Sequence, residues 1–180
     1  MKKYKRNQRI GALMKIFAEK PNYVFSYNYF CEIFNAAKST MSEDVAIVKE
    51  LVAELNFGRI ETISGASGGA VFIPILGGKE KSDILDKLCS LFSQKNRILP
   101  GSFIYMTDIF NNPNIVYNIS KVISSEFSNM EIDYIVTVET KGIPVSIMTG
   151  QKLNVPVAVI RRNNKITEGA TVSINYVSGS

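Results

Sequence analysis

Apolar residues open the chain at helical spacing: Ile10, Leu13, Met14 and Phe17 recur between Asn7 and Lys20, and Pro21 stops the pattern. Tyr29-Phe30 with Ile33-Phe34 repeats that spacing over a short helix starting near Ser26, and Asn35 to Lys38 reads as a tight connection. A third helix is expected from Ser39-Thr40, where Thr40 and Glu43 have the spacing of a capping box. Its buried stripe is Met41, Val45, Val48, Val52 and Leu55, and Asn56-Phe57-Gly58 supplies the stop. The period then falls to two. Arg59 to Ile63 and Ala70 to Pro74 alternate on either side of the Gly/Ser tip at Ser64–Gly69, which predicts a β-hairpin. Three helices followed by a hairpin make a winged-helix arrangement over residues 1–76.

The polar stretch Gly77-Gly78-Lys79-Glu80-Lys81-Ser82 reads as a joint, and residues 77–180 as a second domain. Ile84, Leu88, Leu91 and Phe92 predict a helix over Asp83–Gln94. Phe103 to Met106 suggests a strand, and Ile115, Val116, Ile119, Val122 and Phe127 mark another helix. Tyr134 to Val138 reads as a buried strand, Glu139 to Gly142 as a loop, Ile143 to Leu153 as a helix and Val155 to Ile160 as the next strand. Strand, helix and strand at this length form a βαβ unit, so the class is α/β with a mainly parallel sheet behind the winged helix.

Composition narrows the chemistry. The 180 residues contain no histidine, which excludes Ser-His-Asp and Cys-His nucleophiles and histidine metal sites; no metal-binding residues are expected, and any catalysis would need carboxylates, lysine, tyrosine or a bound ligand. Cys31 and Cys89 sit in apolar helical patterns and form no disulfide framework. No apolar run approaches the ~20 residues that span a bilayer, and no apolar core follows the basic start, so a cytoplasmic protein without membrane contact is expected. The net charge of +5 is compatible with a polyanionic partner.

The distribution of that charge matters more than its sum. Lys2, Lys3, Lys5, Arg6 and Arg9 crowd the first ten residues with no acid among them. Taken alone, such a run is most often a solvated tail. Lys38, Ser39, Thr40 and Ser42 surround the start of the third helix, where free N–H groups and the helix dipole favour phosphate and small hydroxyls permit close approach to base edges. Arg59 at the wing base adds a cation. Ser39 or Thr40 also fits a plain capping role, Glu43 and Asp44 would repel phosphate, and winged helices also bind proteins. The basic arm, hydroxyl-rich helix start and glycine-rich tip together favour double-stranded DNA.

In the second domain the loop Glu139-Thr140-Lys141-Gly142 lies between a strand end and a helix N-terminus, the place where parallel sheets hold phosphates. Arg161, Arg162 and Lys165 follow the next strand, as a solvated turn or as a basic flap over phosphates.

These residues resemble the bacterial purine operon repressor family along essentially the whole chain. The likeness is densest in Ala37-Lys38-Ser39 with Ser42-Glu43-Asp44, in Arg97-Ile98-Leu99-Pro100-Gly101, in Thr140-Lys141-Gly142-Ile143-Pro144, and from Thr171 to Ser180. The resemblance implies a homodimeric transcriptional repressor of purine synthesis genes. Its winged helix would be followed by a type I phosphoribosyltransferase-like domain that senses phosphoribosyl pyrophosphate (PRPP) or purine nucleotides, without a cofactor and without catalysing transfer. It further implies a pyrophosphate loop at Thr137–Gly142 containing a non-proline cis peptide, a hood beginning at Arg161, and Phe103 near the purine, where core packing is the ordinary role for an aromatic ring. The family's later acidic strand end and Thr-Gly-Gly-Thr-like turn have no counterpart before Ser180, so a partial effector domain is expected. The alternative is an active purine phosphoribosyltransferase carrying an extra N-terminal domain.

Overall fold

The structure, a computed structural model, describes residues 3–65, 68–163 and 172–174. The first module runs α1 (Arg6–Glu19), β1 (Val24–Ser26), α2 (Tyr27–Phe34), α3 (Lys38–Glu54), β2 (Gly58–Ile63) and β3 (Gly69–Pro74). Ser26 caps α2 by accepting a hydrogen bond from the Tyr29 N–H at 3.2 Å, and Asn35 ends that helix in the left-handed conformation. Leu13 and Phe17 from α1, Phe30 and Phe34 from α2, and Met41, Val45, Val48 and Val52 from α3 converge on Ile60 and Ala70 of the hairpin. The Phe17 and Phe30 rings meet edge to face, 5.5 Å apart, at the centre of this cluster.

The hairpin has the expected strands, Gly58 pairing with Pro74 and Ile63 with Gly69, but it is joined by β1 into a three-stranded antiparallel sheet of order β1-β3-β2. Three residues are too few to show an alternating pattern, so β1 has no sequence signal of its own. Asn56 makes the left-handed stop after α3, and Gly58 opens β2 with φ of 138°; a Cβ there would lie 2.2 Å from the Ile73 carbonyl oxygen, so only glycine lets the two strands start so close together.

Two expectations for α3 are corrected. The helix begins at Lys38 with Ala37 as its N-cap and no side-chain cap, so Thr40 and Glu43 form no capping box and both hydroxyls fall inside the first turn. Leu55 is half exposed because the helix ends at Glu54 and turns its next residue away from the core.

The second module contains α4 (Gly78–Phe92), the short hairpin β4 (Ile98–Leu99) and β5 (Phe103–Ile104), the single turn α5 (Thr107–Phe110), α6 (Pro113–Glu126), β6 (Ile135–Val138), α7 (Ile143–Leu153) and β7 (Val157–Ile160). The polar stretch at 77–82 is helical from Gly78 onward, with Gly78-Lys79-Glu80-Lys81 as the first turn of α4 and Gly77 as its extended N-cap. Lys81 pairs with Glu126, and Lys121 with Glu80, fastening α4 to α6. Asn112 caps α6 by accepting from the Asn114 and Ile115 N–H groups, with Pro113 at the first helical position. On its inner face Ser120 and Ser124 are buried, each returning its hydroxyl to a carbonyl of its own helix, which leaves a low surface for α7 to approach.

β6 and β7 pair in parallel, Ile135 opposite Val157 and Val138 opposite Ile160, with α7 as the crossover. This is the predicted βαβ unit. Gly150 seats α7 on the strands: a Cβ there would lie 2.8 Å from Val157 Cγ2 and 2.9 Å from the Val155 carbonyl oxygen. The expectation of a fully buried strand is corrected. Burial alternates along β6, with Ile135 and Thr137 half covered and Val136 60% exposed, because α7 covers one face of this two-stranded sheet. β5 belongs to a separate two-stranded sheet, and Phe103 on it is 70% exposed instead of lying in a core.

Candidate nucleic-acid interface and phosphate loop

The inward stripe of α3 dictates its outward one. With Met41, Val45, Val48 and Val52 buried, the opposite face carries Ser39, Ser42, Ala46 and Lys49, all exposed and one turn apart. Lys38 is exposed beside Ser39, and Thr40 is half covered. Small side chains on this stripe let the helix axis come close to a neighbouring surface, and Lys38 and Lys49 have no carboxylate partner among the described residues. Ala46 and Lys49 were not among the residues singled out from the sequence. The complement of the buried stripe identifies both.

The acids on this helix are neutralised from α1. Asp44 is buried, at 1% exposure of its side chain, and accepts a 2.6 Å hydrogen bond from Arg9 Nε. Arg9 also donates from Nη1 to the Tyr4 carbonyl oxygen at 2.8 Å, and its side chain is only 12% exposed. Arg6 Nε lies 3.3 Å from the second Asp44 oxygen, an ionic contact without hydrogen-bond alignment, so that oxygen has no hydrogen-bond partner among the described residues. Arg6 Nη2 lies 3.6 Å from Glu43. Arg9 is therefore a packing element between α1 and α3, not a free phosphate contact. Arg6, 55% exposed, keeps part of its guanidinium outward, and Lys3 and Lys5 are exposed. The repulsion expected from Glu43 and Asp44 is offset where it arises.

Arg59 is likewise engaged. Its Nε contacts Glu61 at 2.6 Å and its Nη2 donates to Asn129 at 2.9 Å, tying the wing to the segment after α6. At the tip Gly65 is exposed, and residues 66 and 67 lie outside the described residues.

The second candidate site is assembled by the parallel register. Placing Val138 opposite Ile160 brings Glu139 and Arg161 together at the carboxyl ends of β6 and β7, with Arg161 Nη1 3.4 Å from Glu139 Oε1. Within the loop the Glu139 N–H donates to the Ile160 carbonyl and the Thr140 N–H to the Val138 carbonyl. The Ile143 N–H returns to the Thr140 carbonyl, and Pro144 has no N–H to offer. The donors left for a ligand are the Lys141 and Gly142 amides, beside the exposed Lys141 ammonium. A Cβ at 142 would lie 3.3 Å from the Thr137 hydroxyl, a tight contact that the threonine side chain would have to yield to. Every peptide bond among the described residues is trans, so the expected cis peptide is absent from this loop. Arg162 is exposed next to Arg161, Lys165 lies outside the described residues, and Phe103 stands on a different sheet from the loop.

Residues 5–74 match the family described as "Bacterial purine repressor, N-terminal". A probable purine biosynthesis transcriptional regulator of Streptococcus pneumoniae is 39% identical over 178 residues, covering 99% of this chain and 65% of that protein. A purine biosynthesis transcriptional repressor of Bacillus subtilis is also 39% identical over 178 residues, covering 99% and 62%. A purine biosynthesis transcriptional activator of Lactococcus lactis is 34% identical over 176 residues, covering 98% and 65%. The chain thus spans somewhat less than two thirds of the length of these relatives. A shorter match joins 39% of this chain to 38% of a xanthine phosphoribosyltransferase of Ligilactobacillus salivarius, 30% identical over 73 residues, in keeping with a phosphoribosyltransferase-like second module. Through the winged-helix module at residues 5–74 and an alignment that runs along nearly its whole length, the chain is similar to the bacterial purine repressor family.

Proposed function

We propose that this protein is a DNA-binding transcriptional regulator of purine synthesis genes, acting as a repressor. Residues 1–76 would form the DNA-binding head and residues 77–180 part of an effector domain. The observation that carries the reading is the outward stripe Ser39, Ser42, Ala46 and Lys49 on α3, flanked by Lys38 and a three-stranded wing. A helix with small residues outward can sit deep in a major groove, where serine hydroxyls bond base edges or phosphates. Lys3, Lys5, Lys38 and the outer part of Arg6 supply the phosphate contacts, and Ser39, Thr40 and Ser42 the groove contacts. A homodimer would present two such heads to a two-part operator.

Glu139, Thr140, Lys141 and Gly142 form the proposed seat for the pyrophosphate of PRPP or a purine nucleotide, with Arg161 and Arg162 at the neighbouring strand end; Lys165 and Phe103 are proposed as further ligand contacts. Support comes from the strand-end position of the loop, its two uncommitted amides and the family relationship. A gel shift with duplex from a purine-gene promoter against scrambled duplex tests the DNA reading; equal affinity for both would refute it. Calorimetry of PRPP with Lys141→Ala against the unaltered protein tests the loop, and unchanged affinity would reduce it to a connector.

The short likeness to xanthine phosphoribosyltransferases favours one rival, an enzyme with an added head. PRPP-dependent consumption of a purine base would establish it. We expect none, because the relatives that align along nearly the whole chain are named as regulators.

A further inference from the structure

Between the two modules lies a cavity of about 260 Å³ that neither candidate site uses. One wall is made by Phe57 and Phe72 of the head, the other by Glu80, Tyr117, Lys121 and Lys152 of the second module. Its corner is braced by Asn22, whose Nδ2 donates to the Lys152 carbonyl oxygen at 2.6 Å across the module boundary.

The two cations of this cavity differ in their state. Lys121 is paired with Glu80. Lys152 has no carboxylate partner among the described residues; its ammonium rests 3.7 Å from the centre of the Tyr117 ring. Burial pushes its pKa below the ordinary lysine value, contact with Tyr117 opposes that shift, and the nearby Lys121 charge adds to it. A cation held out of water against a ring face is only partly compensated, and an incoming anion would complete it. Phe57, more than half exposed although it lines the cavity, offers an apolar surface beside that charge. The volume falls just below the ~300–1,000 Å³ of typical ligand pockets, which suits a small molecule.

We propose that this cleft is a binding site for a small organic anion, a carboxylate or phosphate ester on a planar apolar body, with Lys152 as the anion contact and Phe57, Phe72 and Tyr117 around the body. Such a ligand would touch both modules at once and hold them in one relative orientation. The site is separate from the Glu139–Gly142 loop.

Calorimetric titration of the 180-residue chain with phenyl phosphate, benzoate and neutral benzyl alcohol tests the assignment. Saturable binding of either anion is expected, with benzyl alcohol weaker by about tenfold or more, and the better anion identifies the head group. Lys152→Gln should weaken the anion by about tenfold while Lys152→Arg retains most of the affinity. Removing a half-buried cation that lacks a carboxylate partner leaves no charge stranded, so Lys152→Gln is expected to fold, and circular dichroism checks it. No saturable binding of either anion, or equal affinity in Lys152→Gln, would overturn the proposal. So would loss of binding in Lys141→Ala with retention in Lys152→Gln, which would place the anion at the loop.

Discussion

Arg9→Leu should be among the most damaging single substitutions on the surface-proximal side of the head. The residue comes from a basic run that looks like a solvated arm, yet its guanidinium is nearly buried against a carboxylate that is 1% exposed. Removing it leaves Asp44 with the ionic contact from Arg6 at 3.3 Å and deletes the Arg9 hydrogen bond to the Tyr4 carbonyl. Breaking one side of a buried pair costs about 3–5 kcal/mol, and the remaining Arg6 contact places this case near the lower end, about 3 kcal/mol. Arg6→Leu removes a group that is 55% exposed and should cost under about 1 kcal/mol. Because the cost of Arg9→Leu is mostly a stranded charge, Arg9→Leu with Asp44→Leu should recover most of it, to within about 1 kcal/mol of the unaltered protein. Urea unfolding followed by circular dichroism resolves these values, since a slope of about 1–3 kcal/mol/M turns 3 kcal/mol into a midpoint shift of at least about 1 M. A cost for Arg9→Leu no larger than that for Arg6→Leu, or a double variant less stable than Arg9→Leu, would refute the reasoning.

Lys3→Gln with Lys5→Gln should flatten the salt dependence of DNA binding, by about 0.9 in the log–log slope for each phosphate that is no longer neutralised, without changing sequence preference. Fluorescence anisotropy at several salt concentrations measures this, and an unchanged slope would remove the arm from the interface. Gly150→Ala should destabilise by about 1–3 kcal/mol, because the new methyl group meets the Val155 carbonyl and Val157 in the α7 packing, whereas Gly78→Ala at the open start of α4 should be neutral or better; thermal melts compare them. Arg97 grips Asp108 with two 2.8 Å hydrogen bonds, which with its charge hold that carboxyl below the ordinary range. A depressed carboxyl stabilises above its unfolded pKa and loses that contribution as pH falls through its folded value, so Arg97→Gln should weaken the acid dependence of stability below about pH 4. Identical acid profiles for the two proteins would contradict that.

Strong periodicity makes the head and the βαβ unit legible. Leu13, Phe17, Met41, Val45, Val48 and Val52 are core residues as their spacing predicts, and α7 spans Ile143–Leu153 as the flanking loop and strand require. What the pattern cannot carry is anything set by contact between distant segments. Arg9 and Asp44 are 35 residues apart, and nothing in either neighbourhood distinguishes a buried ion pair from two surface charges. Arg59 reads as a free cation, and only the fold places Asn129 beside it. The start of α3 is misplaced by sequence because a serine and a threonine invite a capping role that the backbone gives to Ala37. β6 reads as buried because its residues are apolar, but its second face has no covering element among the described residues, and Val136 and Val138 remain exposed. At the loop, sequence puts the charged groups at the right end of the sheet; only the register shows that Arg161 meets Glu139.

DNA binding by this head requires the outer stripe of α3 to enter the major groove. Ala46 lies in the middle of that stripe, exposed and outside the core, so Ala46→Glu adds bulk and negative charge at the contact with little effect on folding. Fluorescence anisotropy with promoter duplex is expected to show binding by the unaltered protein and at least about a hundredfold loss in Ala46→Glu, with its thermal melt preserved. Promoter affinity within about threefold of the unaltered protein in a folded Ala46→Glu variant would show that this face does not meet DNA.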